Sequence, residues 1–192
     1  MSELQFFNYH EFIHDNLVIN HFPNHYVGRD TALFETTRIV RIPRVYDNNV
    51  LADIIPQFSP CIPGHEEAGL KKPGLHQFEP EGQYENQNFG VTSLTPLVPT
   101  LLSPPVFVDI INQVNSFLLQ AYNPWDKWNI IDNCLDFLSG GIYSDWFTPF
   151  SKRKLAELDK YIDQTNIKLI NVKIIGPRLS GYLSLDFQIP KP

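Results

Sequence analysis

The segment 123–147, NPWDKWNIIDNCLDFLSGGIYSDWF, constrains this chain most, because it is rich in apolar residues yet interrupted by charges. Plotted as a helix at about 100° per residue, it has a narrow polar face and a wide apolar one. The polar face consists of Asn129, Asp132, Asn133, Asp136 and Gly140. The charges make a bilayer span unsuitable, so the segment predicts a helix that lies at a membrane interface or against a partner. The residues predicted to make that contact are Trp128, Ile131, Leu135, Leu138, Ile142 and Trp146.

Length and composition indicate one folded domain. The chain has 192 residues, of which 43% are hydrophobic, enough for a single substantial core. We expect a loosely ordered arm over residues 1–34 and a single domain over residues 35–192, with a Pro/Gly-rich insertion at about 56–105. The net charge of -6 argues against nucleic-acid binding, which favours basic surfaces.

Regular structure is predicted mainly in the second half of the chain. Before it, the run from Thr36 to Tyr46 reads as a strand, with Pro43 at a sheet edge or bulge. Ser103 is a plausible N-cap for a helix that continues at helical spacing to Tyr122. The next helix lies in the segment 123–147 and ends or kinks at its two adjacent glycines, Gly140 and Gly141.

A third helix and a hairpin complete the prediction. Thr148 and Pro149 suit an N-cap and a first turn. The apolar residues expected to face inward from this helix are Leu155, Leu158, Ile162 and Leu169. Alternating apolar residues over 170–174 and 183–189 then predict a hairpin with one buried face. The predicted class is α+β, with a small antiparallel sheet packed on about three helices.

Catalytic and metal sites are not supported by the residue pattern. Cys61 and His65 stand at C-x3-H spacing and His76 follows, but a structural zinc site needs four ligands. A thiol enzyme using Cys61 would also need a nearby base and an orienting group, for which no local signature exists. Asp132 and Asp136 could form an acid pair, and we interpret them instead as part of a solvent-facing polar face. We therefore expect no catalytic residue, no metal and no cofactor.

Cys134 and two basic clusters are the remaining candidate sites. Cys134 lies toward the apolar side of its helix, where it is either a small core residue or an acceptor for S-acylation. No secretory signal and no transmembrane helix is predicted, so membrane association would be peripheral. The side chains that could contact phospholipid headgroups or an acidic partner, or simply face solvent, are Arg38, Arg41, Arg44, Lys152, Arg153 and Lys154.

Three stretches resemble a known family. They are the segment 123–147, the run KIIGPRLSGYLSLDFQIP at 173–190, and the run TRIVRIPRVYDNN at 37–49. Together they are similar to the fungal Ras-modification protein family, whose members are accessory subunits of the Ras palmitoyltransferase and whose animal relative is golgin subfamily A member seven. The resemblance covers residues 37–60 and 89–190.

The resemblance implies a non-catalytic partner of a multi-pass membrane enzyme. That enzyme carries an Asp-His-His-Cys domain and passes an acyl group from its own cysteine to Ras-type proteins. The resemblance further implies that the accessory subunit binds and stabilises this S-palmitoyltransferase as a peripheral protein on the cytosolic face of the endoplasmic reticulum membrane. A membrane-trafficking adaptor that works independently of an acyltransferase is the alternative.

The resemblance also bears on lipidation. The animal relative is palmitoylated at cysteines in the helix that matches residues 128–147. Cys134 falls on one of those positions, and Phe137 occupies the other. Cys134 is therefore the single lipidation candidate that the resemblance leaves in this helix.

Overall fold

The computed structural model describes residues 5–7, 10–13, 16–19, 21–45, 54–60, 62, 81–84, 87–91 and 97–191. The strands are β1 (Gln5–Phe7), β2 (His10–Ile13), β3 (Asn16–Ile19), β4 (Phe22–Pro23), β5 (Thr37–Pro43), β6 (Glu81–Tyr84), β7 (Gln87–Val91), β8 (Lys173–Ile175) and β9 (Ser184–Pro190). The helices are α1 (Ala32–Thr36), α2 (Pro104–Tyr122), α3 (Lys127–Leu138), α4 (Ile142–Trp146) and α5 (Phe150–Lys168). This mixture confirms the predicted α+β class.

An antiparallel sheet in the order β4-β5-β9-β8 forms the centre of the fold. Strands β5 and β9 pair along their whole length, from Thr37 opposite Pro190 to Pro43 opposite Ser184. Strand β8 pairs with β9, which confirms the predicted hairpin. Pro43 was predicted at an edge or a bulge; β5 lies inside the sheet, but β4 pairs only with Arg38 and Ile39. Pro43 is the last residue of β5, beyond the reach of the two-residue β4.

The core lies between one face of this sheet and the helices α2 and α5. Strands β5 and β9 contribute Val40, Ile42, Leu185, Phe187 and Ile189. The helices contribute Phe107, Ile110, Ile111, Val114, Leu118, Leu158 and Ile162. The rings of Phe107 and Phe187 stand 6.1 Å apart, so this aromatic pair joins α2 directly to the sheet.

The three long helices begin and end close to the predicted positions. Helix α2 has Ser103 as its N-cap residue and prolines in its first turn, as predicted. Helix α3 ends at two glycines with left-handed backbone, Gly140 (φ 65°) and Gly141 (φ 91°), a conformation that few other residues adopt readily. Helix α5 begins one residue later than predicted, with Pro149 as its N-cap residue. Of its predicted inward residues, two are buried and two half-buried, namely Leu158, Ile162, Leu155 and Leu169.

Asparagine side chains fasten loops and edges to this core. Asn115, on α2, accepts a hydrogen bond from the Phe58 backbone N–H and donates one to its carbonyl, each at 2.8 Å. Asn166, on α5, does the same for Ile174 on the edge strand β8, at 2.7 and 2.9 Å. Because the Asn166 amide occupies these backbone groups, this part of the edge cannot pair with another strand.

The predicted arm and insertion both contain some regular structure. Strands β1, β2 and β3 form an antiparallel meander within residues 1–34, and β4 joins the main sheet. Strands β6 and β7 form a hairpin within the predicted insertion. The division of the chain at residue 34 stays a prediction.

Candidate interaction surface

Helix α3 is amphipathic as predicted, but its polar face points into the protein. Asn129 and Asp132 are each only 9% exposed, and Asp136 is half-buried. The interpretation of Asp132 and Asp136 as an ordinary solvent-facing pair is therefore wrong. Asn133 and Gly140 are the members of that face that are exposed.

Asn129 joins α3 to the end of α2. Its amide nitrogen lies within hydrogen-bonding distance of the carbonyl oxygens of Gln120 (3.2 Å), Ala121 (3.3 Å) and Asn123 (2.9 Å). The last carbonyls of a helix have no partner within the helix, so a buried side-chain donor stabilises that end. Asn129 thereby fixes the angle at which the chain leaves α2.

Asp132 joins α3 to the two helices that follow. Its carboxylate accepts hydrogen bonds from the Tyr143 hydroxyl, at 2.9 Å, and from the backbone N–H of Phe150, the first residue of α5. A negative charge at a helix N-terminus is favourable because it meets unpaired N–H groups and the positive end of the helix dipole. The hydrogen bond to Asp132 also raises the pKa of the Tyr143 phenol above its ordinary value.

Asp136 and Ser139 hold the short helix α4 against α3. Asp136 accepts a hydrogen bond from the Ser144 N–H at 3.0 Å, and the Ser139 hydroxyl accepts one from the Tyr143 N–H at 2.9 Å. The backbone N–H of Gly141 also donates to the Asp136 carbonyl at 2.8 Å. Asn129, Asp132 and Asp136 of α3 therefore all bond to other parts of the fold, and α3 and α4 form one hairpin.

Most of the large side chains that are exposed on this hairpin are apolar, although Lys127, Asn133 and Asp145 are exposed as well. Exposure of its large side chains ranges from 41% for Leu135 to 86% for Phe137. We name this set the outward apolar surface: Trp125, Trp128, Ile130, Ile131, Leu135, Phe137, Leu138, Ile142, Trp146 and Phe147. A group of large apolar side chains left exposed in this way marks a site that contacts another protein or a membrane.

All six residues predicted for the membrane or partner face belong to the outward apolar surface. The prediction did not include Trp125, Ile130, Phe137 and Phe147. Trp125 precedes α3 and Phe147 follows α4, so these two lie near the ends of the segment 123–147. With Trp125 included, all three tryptophans of the chain lie on this surface.

Cys134 is a free, exposed cysteine on α3. Its exposure rules out the alternative in which the thiol is a small core residue. The acylation alternative requires an accessible sulfur, which this position supplies.

The two predicted basic clusters have different surroundings. At the start of α5, Lys152 and Arg153 are exposed, while Lys154 is half-buried and pairs with Glu157 at 2.7 Å. The Arg153 guanidinium lies 5.8 Å from the ring centroid of Phe150. This cluster therefore follows directly after the last residues of the outward apolar surface.

Arg38 and Arg41 of β5 and Arg44, which follows it, do not form a surface cluster. Arg38 and Arg44 are buried, and Arg41 is half-buried with its Nε 3.3 Å from the Asp186 carboxylate. Arg38 donates hydrogen bonds to the ring nitrogen and the carbonyl of His21. Side chains alternate along a strand, so Arg41 points to the opposite face from the other two. The predicted headgroup contact by these three residues is therefore not supported.

The described part of the chain shows neither a metal-binding cluster nor a membrane-spanning helix. Over the described ranges, no three His, Cys, Asp or Glu side chains are grouped closely enough to hold a metal ion. The candidates Cys61, His65 and His76 lie outside the described residues. Among the helices that the structure describes, none combines the length and apolar character needed to cross a membrane.

Replacing Asp132 by alanine tests the inward polar face. We expect Asp132→Ala to lower the free energy of unfolding by about 2 kcal/mol, because the Phe150 N–H loses a charged acceptor. Urea denaturation followed by circular dichroism measures the change. The matched control is Asn133→Ala, one residue further on the same helix but exposed, which should change stability by less than about 0.5 kcal/mol. Equal effects of the two substitutions would contradict the inward orientation.

Comparisons with known proteins identify relatives along most of the chain. The sequence pattern of the Golgin subfamily A member 7/ERF4 family matches residues 39–186. A protein of Debaryomyces hansenii named Ras modification protein ERF4 is 42% identical, over 95% of this chain and 82% of the relative. Proteins of the same name are 41% identical in Candida albicans and 34% identical in Saccharomyces cerevisiae, each covering 92% of the relative. The matched region includes the whole hairpin of α3 and α4.

Proposed function

The chain belongs to the Golgin subfamily A member 7/ERF4 family, and on this premise we propose that it is a non-catalytic regulatory subunit of a Ras-modifying enzyme. In this role it binds and stabilises a multi-pass Asp-His-His-Cys S-palmitoyltransferase that acts on Ras-type proteins. The proposed place of action is the cytosolic face of the endoplasmic reticulum membrane, where the chain is a peripheral protein. The names of the fungal relatives support the link to Ras modification.

The outward apolar surface is the observation that carries this proposal. Burial of one large apolar side chain contributes about 1.5–3 kcal/mol, so leaving ten of them in water is costly. A membrane-embedded enzyme offers two apolar environments together, the lipid and its own transmembrane helices. Tryptophan favours the boundary between the hydrocarbon and the headgroups, and all three tryptophans of the chain lie on this surface.

The distribution of charge around this surface supports contact with an anionic membrane. Asp132 and Asp136 would repel anionic lipid if they faced outward, but their carboxylates accept hydrogen bonds within the fold. Lys152 and Arg153 are exposed immediately after the hairpin. Each basic side chain near an anionic membrane surface contributes about 1 kcal/mol, so these two are the proposed headgroup contacts.

Co-purification with the enzyme tests the proposal. The Asp-His-His-Cys enzyme is purified with and without this chain, and its autoacylation and the hydrolysis of its acylated cysteine are measured. We expect the chain to increase the acylated fraction and to slow hydrolysis. No change in either quantity would contradict the regulatory role. If the chain also stays stable and correctly located in cells that lack the transferase, the trafficking-adaptor alternative is favoured.

Cys134→Ser tests the proposed acyl anchor. We expect the variant to be washed from membranes about tenfold more readily, because a buried acyl chain contributes about 0.8 kcal/mol per methylene. Binding to the enzyme should be largely unchanged, since the thiol is exposed and packs in no core. Membrane fractionation and capture of thioester-linked protein measure the two effects. Loss of the enzyme complex in Cys134→Ser would mean that the thiol contacts the partner directly.

A further inference from the structure

A cavity of about 820 Å³ lies beside the edge strand β4, and its lining residues come from the N-terminal part of the chain. It is framed by β4, the loop that follows it, and α1. Its apolar walls include Phe22, Val27 and Phe34, and its polar groups include His25, Arg29 and Arg41. The volume falls within the range of about 300–1,000 Å³ that is usual for small-molecule sites.

Among the described residues that line this cavity, the charged side chains are Arg29 and Arg41, and Arg41 is already paired with the buried Asp186. None of the described residues that line it is a carboxylate, although the chain as a whole carries a net charge of -6. The acids nearest in sequence, Asp30 and Glu35, are exposed and do not line it. An apolar cavity beside an arginine that pairs with none of the described acids, as Arg29 does here, favours an anion that is attached to an apolar body.

The Arg41 guanidinium is held in a fixed position at the cavity wall. Its Nε lies 3.3 Å from the Asp186 carboxylate, which is 1% exposed and also accepts a hydrogen bond from the Tyr26 hydroxyl at 2.8 Å. The guanidinium carbon lies 5.1 Å from the ring centroid of Phe22, and Nη2 lies 3.0 Å from the His25 ring. A cation held in this way loses little side-chain entropy when a ligand binds.

Arg29 supplies the second cation. It is exposed, and in the part of the chain that the structure describes no hydrogen bond or ion pair engages its side chain. We propose that this cavity is a binding site for a small organic anion with an apolar body, whose carboxylate, sulfonate or phosphate group is held by Arg29 while Phe22 and Phe34 contact the apolar part. The site is independent of the proposed regulatory role, because it shares no residue with the outward apolar surface.

Hexanesulfonate and hexanol, which share an alkyl chain and differ in charge, are the probes that test this site. Each is titrated into isotope-labelled protein while the backbone amide resonances are followed by NMR. We expect hexanesulfonate to shift the amides of residues 25–34 saturably, with a Kd at least about tenfold lower than that of hexanol. Equal affinities, or shifts confined to the outward apolar surface, would overturn the proposal.

Variants of the cavity identify the groups responsible. Arg29→Gln should weaken hexanesulfonate binding about tenfold and leave hexanol binding unchanged. The control is Arg178→Gln, which removes another exposed arginine, one that pairs with Asp159 outside the cavity, and should have no effect. Val27→Trp should abolish binding of both probes by filling the cavity. A wild-type affinity for hexanesulfonate in Arg29→Gln would overturn the site, whatever the behaviour of the more disruptive tryptophan variant.

Discussion

The double variant Phe137→Asp, Leu138→Asp should weaken binding to phospholipid vesicles by at least about 100-fold. These two side chains are 86% and 80% exposed, so the fold does not need them in its core. Burying both in lipid contributes about 3–6 kcal/mol, which corresponds to a factor of about 100 or more in affinity. The introduced carboxylates add a desolvation cost that opposes insertion further.

Vesicles of phosphatidylcholine and phosphatidylserine, with tryptophan fluorescence as the signal, measure this effect. All three tryptophans lie on the outward apolar surface, so a blue shift of their emission reports contact of that surface alone. The matched control is Ile167→Asp, Ile170→Asp, which places the same charges at residues that are 84% and 80% exposed at the far end of α5. Since α5 has 19 residues and rises about 1.5 Å per residue, these positions lie far from the hairpin. Equal losses in both variants would contradict a specific surface.

Phe187→Ala should give the largest loss of stability among single core substitutions. Phe187 is fully buried in β9, and its ring faces Phe107 on α2 at 6.1 Å. Removing a buried phenylalanine leaves a cavity and costs about 3–5 kcal/mol. Because the free energy of unfolding of a domain is typically about 5–15 kcal/mol, this change would remove between about a fifth and all of it.

Urea denaturation of the variant and of a control on the same strand pair measures this loss. Leu183→Ala removes an apolar side chain next to β9 that is 55% exposed, and it should cost less than about 1 kcal/mol. A small effect of Phe187→Ala, similar to that of Leu183→Ala, would contradict the placement of the core between β9 and α2.

Elements with a strong apolar period could be predicted closely from the sequence. Helix α2 is the clearest case, because its N-cap residue and prolines fix the start and an Asn-Pro pair ends it. The hairpin of β8 and β9 followed from alternation. In α2 the periodic apolar side faces the core, so the pattern and the packing agree. In the hairpin Ile174, Leu185, Phe187 and Ile189 are buried as the alternation predicts, whereas Ile170 and Leu183 at its ends are exposed. Ser184 and Asp186 are buried as well, so β9 is covered on both faces and not on one.

Helix α3 shows what periodicity does not determine. Its pattern indicates two faces but does not say which of them meets the rest of the protein. Asn129 is buried because it donates to carbonyl groups at the end of α2, and Asp132 is buried because it accepts from the first N–H of α5. These contacts depend on how the helices pack, which the period of α3 does not specify. The Asn123-Pro124 pair was the sequence signal for the Asn129 contact, because it ends α2 and leaves the last carbonyl groups of that helix without partners inside it.

The basic side chains show a second limit. Arg38, Arg41 and Arg44 look like one cluster in the sequence because they recur every three residues. On a strand, that spacing sends neighbours to opposite faces, and ion pairs and hydrogen bonds within the sheet then hold them. Lys152 and Arg153 lie in the first turn of α5 and are both exposed, as the sequence predicted.

The cavity beside β4 was not predicted, because it is built from both sides of a loop. Phe22 and Arg41 lie on paired strands, whereas Arg29 and Phe34 come from the connection between them. No motif joins these residues in the sequence. The antiparallel pairing of β4 with β5 brings Arg41 to the ring of Phe22, and the loop between these strands adds Arg29 to the lining.

The lifetime of the acylated enzyme is the most direct measure of whether the outward apolar surface engages the palmitoyltransferase. The purified enzyme is loaded with acyl group and its hydrolysis is timed with the wild-type chain, with Phe137→Asp, Leu138→Asp, and with the Ile167→Asp, Ile170→Asp control. We expect the wild-type chain and the control to slow hydrolysis equally, and the surface variant to leave it as fast as in the enzyme alone. Full protection by the folded surface variant would contradict the account.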